Sequence, residues 1–586
     1  MKKNVKVQLE SENEKKACEY IIKTAVKNNV KAARDLLVLK KNACEKYKIG
    51  FVSNPLLLNI YRQLIVDKKI KSSDALFQIL RKRRIRTSSG IASVAVLTKP
   101  YPCPGKCIYC PTQEGSPKSY IDNEPAVMRA VLAKYDPVKQ IQIRLRGFEI
   151  AGNPADKIEL IVMGGTWSYL PIIYQLKFII GCFWATNTFN SKLQISNNKL
   201  QTHSINSGQV KSKFQFNKLS NNIKELKNIL KKEHRKNERA KYRIIGLTLE
   251  TRPDFIDEKE IKFMRELGCT RVEMGVQSIF DDILIKNSRG HLVNKTIKAT
   301  KLLKDAGFKI CYHMMPNLYA SNYKKDVKMF KELFANQDFQ PDMIKIYPCV
   351  VTKYAKLEKL YKQKKYIPYA DNELIKLLIE IKKDLPEYVR VQRCIRDIPK
   401  ENIIGGSTIS NLRQILQARG AKCDCIRCRE IREDKKINVK LKRIDYDASG
   451  GKEVFLQYVD KDNKLYALLR LRITSQILSA KFKNQNAKRK INESLCDDYN
   501  HWILELNGCA IIREVHTYGP MLEVGTKSNK DPQHSGLGKK LIGEAERITK
   551  QEFGISKIAV ISGVGVREYY RKIGYKLNNL YMIKKI

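Results

Sequence analysis

The sequence predicts an α/β multidomain protein in three parts: a parallel, partial (β/α) barrel, a short cysteine-bearing linker and a C-terminal α+β domain. Three observations predict it. Between residues 89 and 395, short β-branched runs alternate with amphipathic helical stretches, the pattern of βαβ units around a parallel sheet. Between 396 and 440, three cysteines crowd together among charged stretches. From residue 441 strands follow one another, then a glycine-rich loop opens a helix. At 586 residues the chain has room for about three to five domains. Its 43% hydrophobic and 29% charged residues are ordinary globular proportions, which excludes a disordered or collagen-like chain.

Residues 1–88 read as helical and very basic, ending in Arg81-Lys82-Arg83-Arg84-Ile85-Arg86. Ile91–Leu97 reads as a buried strand, followed by a Pro/Gly/Cys loop. Buried strands are expected at Lys157–Met163, Arg243–Thr248, Arg271–Gly275, Lys309–Met315 and Met343–Tyr347, with helices such as Glu258–Leu267 and Lys295–Ala306 between them. Asn190–Asn217 is Asn/Ser/Lys/Gln-rich and aperiodic, and is expected to be a surface insertion without chemistry. Further strands are expected at Glu453–Val459, Lys464–Ile473, Ala510–Tyr518 and Lys557–Ser562. The best apolar run, Ile172 to Ala185, is broken by Gln175 and Lys177 and falls short of the ~18 residues of a membrane span. The charged opening MKKNVKVQLESENEKK carries no apolar core. No membrane partner and a cytoplasmic location are therefore expected.

Charge and cysteine narrow the class. Lys and Arg number 111 against 60 Asp and Glu, a formal net charge of +51. A chain this cationic favours a polyanion as partner, nucleic acid first, although a Lys/Asn/Ile-rich composition accounts for part of the excess. Fifteen cysteines without a secretory signal suit a reducing compartment, where thiols serve as metal ligands.

Cys103, Cys107 and Cys110 stand in a C-x3-C-x2-C loop directly after a predicted strand. Three thiolates at this spacing can wrap one face of a [4Fe–4S] cube, which ordinarily takes four cysteines, so one iron stays open to a small ligand. The loop, with Tyr109 before its last cysteine, resembles that of the radical S-adenosylmethionine (SAM) enzymes. In that family the open iron chelates SAM, and cluster reduction releases a 5′-deoxyadenosyl radical. Gly164 and Gly165 close a strand where the family places a glycine motif for SAM. Glu250–Asp254, Gly275–Ser278 and His313–Pro316 also close strands, and strand C-termini face the active site of a parallel barrel.

Near the C-terminus, Gln533-His534-Ser535-Gly536-Leu537-Gly538-Lys539 sits between a strand and a helix. Free amides at a helix start, with glycines for close approach, can hold a pyrophosphate. The pattern resembles the coenzyme A loop of GNAT acetyltransferases. Such folds commonly place a tyrosine near the thioester, which Arg567–Tyr575, with Tyr570, supplies.

Taken together, Glu124–Ala130, Ile161–Thr166, Leu249–Asp254, Gly275–Ser278, Arg289–His291, His313–Pro316, Arg396–Pro399 and Val560–Gly565 resemble the catalytic subunits of Elongator, the radical-SAM/GNAT tRNA uridine(34) acetyltransferases. The short cysteine loop is similar to that of the archaeal and bacterial branch. The resemblance implies a basic helical tRNA-binding region (1–88), a radical SAM domain (89–395), a zinc-binding linker (396–440) and a GNAT domain (441–586). It implies hydrogen abstraction from the methyl of acetyl-CoA, addition to C5 of the wobble uridine, and hydrolysis to a carboxymethyl group. It implies Cys103, Cys107 and Cys110 as cluster ligands, and Lys157, Glu514, Val515, His516, Thr517, Gly536, Leu537, Gly538, Lys539 and Tyr570 as acetyl-CoA contacts. Cys423, Cys425 and Cys428 resemble a zinc turn of the prokaryotic branch, with Cys394 a candidate fourth ligand. A homodimer or accessory Elongator-type subunits are possible partners. Two other readings stay open: a protein or histone lysine acetyltransferase with a structural cluster, and a non-enzymatic tRNA-binding scaffold.

Overall fold

The computed structural model describes residues 11–81, 90–190, 214, 216–431, 438–478, 501–519 and 536–586. The basic run from Lys82 to Arg86, most of the 190–217 insertion, and Gln533 to Ser535 lie outside the described residues.

Helices Glu12–Lys27, Ala33–Lys46, Asn54–Val66 and Asp74–Leu80 form an N-terminal bundle with its own core around Ile21, Leu57 and Leu64. Ser11 and Ser73 cap the first and last of these helices, accepting from backbone N–H groups that the first turn leaves unpaired. The bundle docks on helix Pro137–Ile150: Arg62 Nη1 donates to the Glu149 carbonyl at 2.9 Å.

The central strands run in chain order as β1 (Ala92–Leu97), β2 (Lys157–Met163), β3 (Arg243–Thr251), β4 (Arg271–Gln277), β5 (Lys309–Met314), β6 (Met343–Ile346), β7 (Val351–Thr352), β8 (Arg390–Arg393) and β9 (Ile403–Gly405). The first six and β8 make one seven-stranded sheet in sequential order, parallel throughout. Helices connect successive strands, so the sheet winds as an open barrel. β7 pairs antiparallel with β9 outside it. Val94, Val96, Leu160, Leu247 and Val272 are fully or almost fully buried, as the apolar runs predict. Helix Ile172–Thr188 contains the apolar run and packs in this core. Lys177, buried there, is satisfied by donating to the Leu219 carbonyl and Asn221 Oδ1 at 2.8 and 2.9 Å. No helix of the described residues is long and apolar enough to cross a membrane. The end of the insertion is anchored: Phe214 packs on Trp184 and Phe216 on Tyr174.

The C-terminal sheet holds β10 (Lys440–Ala448), β11 (Gly451–Val459), β12 (Leu465–Ile473), β13 (Cys509–Thr517), β14 (Lys557–Val560), β15 (Lys576–Asn578) and β16 (Tyr581–Lys585), in the order β10-β11-β12-β13-β14-β16-β15. β13 and β14 are parallel, but their ladder stops at Ile512↔Val560 while β13 runs on to Thr517. β13 therefore runs past the end of its partner, and helix Leu537–Arg547 packs against β12 and β13 beside that overhang.

This domain closes the barrel at the N-terminal ends of the strands. Glycines permit the approach. A Cβ on Gly563 would collide with the Ile245 carbonyl oxygen, and one on Gly565 would lie 2.6 Å from Arg243 Cβ. The Val560–Gly565 motif is thus a docking seam against β3. Next to it runs a buried ionic layer. Arg513 pairs with Asp342 and Glu453, Arg472 with Asp305 and Glu453, and Arg470 with Glu514 and Asp342. All seven side chains belong to the C-terminal sheet or the segments before β5 and β6, and all except the half-buried Glu514 are almost wholly buried. Charges so placed need every partner, because desolvation is not recovered by an incomplete set.

Candidate active site

The strand C-termini open into a cavity of about 1000 Å³ lined by Cys103, Cys107, Cys110, Gly165, Thr166, Glu250, Arg252, Glu273, Arg289, His313, Lys345 and Arg396 among others. The loop after β1 brings the three thiols of C-x3-C-x2-C to one wall. Gly105 N–H donates to Cys103 Sγ at 3.4 Å, and Thr166 Oγ1 lies 3.6 Å from that sulfur. Arg289 Nη1 donates to Cys107 Sγ at 3.5 Å. Burial alone would raise the Cys107 thiol, but the Arg289 guanidinium, helped by Arg252, holds it below its ordinary value. Burial pushes Cys110 up to about 11. Arg252 is clamped by Asp254 at 2.8–2.9 Å and donates to the Arg289 carbonyl, while its buried Nη1 has no hydrogen-bond partner among the described residues. That atom presses close to Gly105, where a Cβ would collide with it. Three soft thiols with a spare buried guanidinium donor fit an iron–sulfur cluster of net negative charge.

The two glycines after β2 differ in role. Gly165, at φ +102°, lines the cavity. Gly164, at φ +130°, packs on Thr98, where a Cβ would collide with Oγ1; it lets the ends of β1 and β2 close up.

Inside the barrel a second group of charges lies that the sequence left without a role. Lys345 from β6 is paired with Glu273 from β4, and its Nζ is 3.7 Å from Glu250 Oε1 of β3. His313 Nε2 is 3.1 Å from Glu273 Oε2. Burial would raise Glu273, but Lys345, His313 and Arg271 hold it well below the usual carboxylate range. Burial would lower Lys345, and Glu273 with Tyr347 and Glu250 raises it instead. Glu250, Glu273 and His313 have the mutual closeness of a metal triad, yet the Lys345 ammonium already sits against both carboxylates. Their signal in the sequence was charge inside apolar strands: Lys345 interrupts Met343–Ile346.

The cavity floor is Glu159 paired with Arg271. Arg271 also feels Glu514 electrostatically. Glu514 accepts from Lys309 at 3.2 Å and Arg470 at 2.9 Å. Despite burial, these cations and His516 keep it far below the usual range. Along β13 the side chains alternate. Glu514 faces this floor, whereas Val515 and Thr517 face the helix-start loop, within 3.9 Å of a Cβ on Gly538. His516 packs its ring 4.3 Å from Tyr518. Gly536 precedes the helix at φ +75°, Leu537 is buried and Lys539 exposed. Tyr569 OH is 3.5 Å from a Cβ on Gly538, while Tyr570 is 6% exposed and packed on Tyr569 and Tyr575. Lys157 starts β2 beside Arg243, at the docking-seam end of the strand, and burial lowers its pKa.

Cys423, Cys425 and Cys428 bring their sulfurs within 4.8 Å of one another, the spacing three vertices of a tetrahedral zinc site require. Cys394 is outside that group. Lys382 Nζ instead approaches Cys428 Sγ at 3.7 Å.

The model of the Radical SAM superfamily matches residues 216–333, and that of the Radical SAM C-terminal domain matches 341–421. The chain is 40% identical over 570 residues to a tRNA uridine(34) acetyltransferase of Methanocaldococcus infernus, covering 94% of each chain. It is 36% identical over 582 residues to Elongator complex protein 3 of Homo sapiens, covering 94% of this chain and 93% of the relative. The solved structure of archaeal Methanocaldococcus infernus Elp3 with an N-terminal deletion (1–46) superposes with a TM-score of 0.64 at 38% identity, over 85% of this chain and 100% of that one. The cysteine loop at the mouth of a parallel open barrel, the C-terminal domain sealed to its far end, and likeness along nearly the whole length place this chain in the tRNA uridine(34) acetyltransferase/Elongator complex protein 3 family of radical SAM enzymes.

Proposed function

We propose that this protein installs a carboxymethyl group at C5 of the wobble uridine of tRNA, using SAM and acetyl-CoA. One observation carries the reading: the three loop thiols line the same cavity whose floor, Glu159–Arg271, abuts the strand that bears Glu514. When bound, a [4Fe–4S] cluster with SAM supplies a 5′-deoxyadenosyl radical, an acceptor for a methyl hydrogen that acid–base chemistry cannot remove. Cys103, Cys107 and Cys110 would hold the cluster, with Arg252 and Arg289 balancing the thiolates. Gly165 leaves room at the wall beside it. The edge of β13 beyond Ile512 can accept an extended amide arm as an added strand, the loop at Gly536–Lys539 can bind pyrophosphate through helix-start amides, and Tyr569, with Tyr570 packed behind it, would flank that arm. Lys157 stands at the same end. The N-terminal bundle and Arg81–Arg86 would hold tRNA through its phosphates, alone, as a homodimer or with Elongator-type subunits. Zinc on Cys423, Cys425 and Cys428 would brace the turn between barrel and C-terminal domain.

The test is anaerobic incubation of reconstituted protein with SAM, dithionite, acetyl-CoA and bulk tRNA, then nucleoside mass spectrometry. Carboxymethyluridine is expected, lost in C107A together with cluster iron. Its absence from fully loaded wild type sinks the proposal.

A further inference from the structure

The charges inside the barrel have no task in the reading above, on which this inference rests. We propose that Glu250 and Lys345 read the Watson–Crick edge of the target uracil: the Glu250 carboxylate accepts from N3–H and the Lys345 ammonium donates to O4.

The geometry is that of a prepared acceptor–donor pair. Glu250 Oε1 and Lys345 Nζ are 3.7 Å apart, too far for a hydrogen bond with each other and spaced for each to take one of two adjacent edge atoms. Each is fixed by something else. Tyr120 OH donates to Glu250 Oε2 at 2.8 Å, which directs Oε1 into the cavity. Burial, then Glu250, raises the Tyr120 pKa well above its ordinary value, so it remains a phenol that donates. The Arg396 guanidinium lies 5.2 Å from the Tyr120 ring and also bonds Glu124 at 2.9 Å. Lys345 is anchored on Glu273, itself tied to His313 and Arg271. Glu250 is 9% and Lys345 6% exposed, and both line the cavity shared by the loop thiols. Tyr347, on the same wall, offers an aromatic face for a base turned out of its stack.

A purely structural role fits these residues poorly. A lysine and three acidic or imidazole groups inside a barrel cost desolvation that apolar side chains would avoid. Uracil presents a donor at N3 and an acceptor at O4, whereas cytosine presents an acceptor and a donor there. The pair therefore matches one pyrimidine and repels the other.

The experiment needs no cofactor. Full-length protein is titrated with fluorescent anticodon stem-loop RNAs carrying uridine, cytidine or 3-methyluridine at position 34, and affinities are read by anisotropy. Wild type is expected to favour uridine over both others by about tenfold. Glu250→Gln keeps shape. Tyr120 holds the amide oxygen, so the NH2 group faces the cavity, and the preference for uridine over cytidine should vanish or invert. Lys345→Met should weaken uridine binding about tenfold and leave cytidine as tight or tighter, since a donor facing its amino group is gone. The 3-methyluridine arm requires no variant, so a misfolded mutant cannot spare the proposal. Equal wild-type binding of uridine and 3-methyluridine, or an unchanged ratio in folded Glu250→Gln, overturns it, as does a Lys345→Met variant that loses only SAM binding. If wild type makes carboxymethyluridine but these ratios do not move, base reading fails and the reaction stands. If it discriminates uridine but makes no product, the reverse holds.

Discussion

Asp342, immediately before β6, is the anion on which the seal between barrel and C-terminal domain converges. It is wholly buried; Arg513 Nη1 donates to Oδ2 at 2.9 Å and Nη2 to Oδ1, Arg470 lies at 3.6 Å and Lys304 at 4.0 Å, and the Ile310 backbone N–H donates at 2.9 Å. Asp342→Asn keeps the shape and removes the charge, so the cations face a neutral amide with Glu453 as the main remaining counterion. Losing one member of a buried ion set costs about 3–5 kcal/mol. Hydrogen exchange reads this directly through local opening. Amides of Ile310 and of Ile512 on β13 should exchange faster by about two to three and a half orders of magnitude. The wild type carries a matching pH signature. Burial would raise Asp342, but Arg513, Lys304 and Arg470 lower it. A carboxyl with a depressed folded pKa contributes fully above the unfolded value of about 3.9, and loses that contribution as pH falls through the folded value. Protection across the seam should thus collapse at acid pH, and Asp342→Asn should flatten that dependence. Adding Arg513→Met to Asp342→Asn should restore part of the protection. Protection within tenfold of wild type in Asp342→Asn would refute the reasoning.

Two further outcomes follow from the geometry. His234 is buried with its ring 4.4 Å from Phe183, and burial, then Arg567 and Arg265, push its pKa well below the ordinary value. The unfolded chain therefore binds a proton that the folded one refuses, and stability should fall by about 1.4 kcal/mol per pH unit below about 6.5 from this group; His234→Phe should flatten that slope in denaturant titrations at pH 5–7, and an unchanged slope would count against the assignment. Zinc measured by elemental analysis should be lost from Cys425→Ser and kept in Cys394→Ser, since Cys394 stands outside the three-sulfur group; retention in Cys425→Ser would remove the metal assignment.

Several elements were legible because their chemistry is local. Buried parallel strands are contiguous apolar runs, so Val94, Leu160 and Val272 announce themselves. The C-x3-C-x2-C loop is a spacing signal that survives without knowledge of the fold. Other elements escaped for equally physical reasons. β8, Arg390–Arg393, is a four-residue strand bounded by arginines, and β10, Lys440–Ala448, is an edge strand exposed or half-exposed along most of its length; neither shows the apolar run or clean alternation on which a strand is read. Gly563 and Gly565 were legible only as part of a family-like segment, and the structure shows that their small size serves the approach of two domains. Within the GNAT-like loop, Leu537 is core, and Tyr569 rather than Tyr570 stands over Gly538.

The amino-acid order alone determined that a three-thiol loop opens a parallel α/β barrel and that a strand-rich α+β domain follows, because cysteine spacing and hydrophobic period are properties of neighbouring residues. Only the tertiary structure decided that the second domain seals the N-terminal end of that barrel, that Glu159 and Arg271 form the floor between them, and that Glu250, Glu273, His313 and Lys345 share one chamber. Those residues come from different strands tens of residues apart. What joins them is the inward side-chain direction that parallel strands acquire when the sheet curls, and no local pattern encodes that.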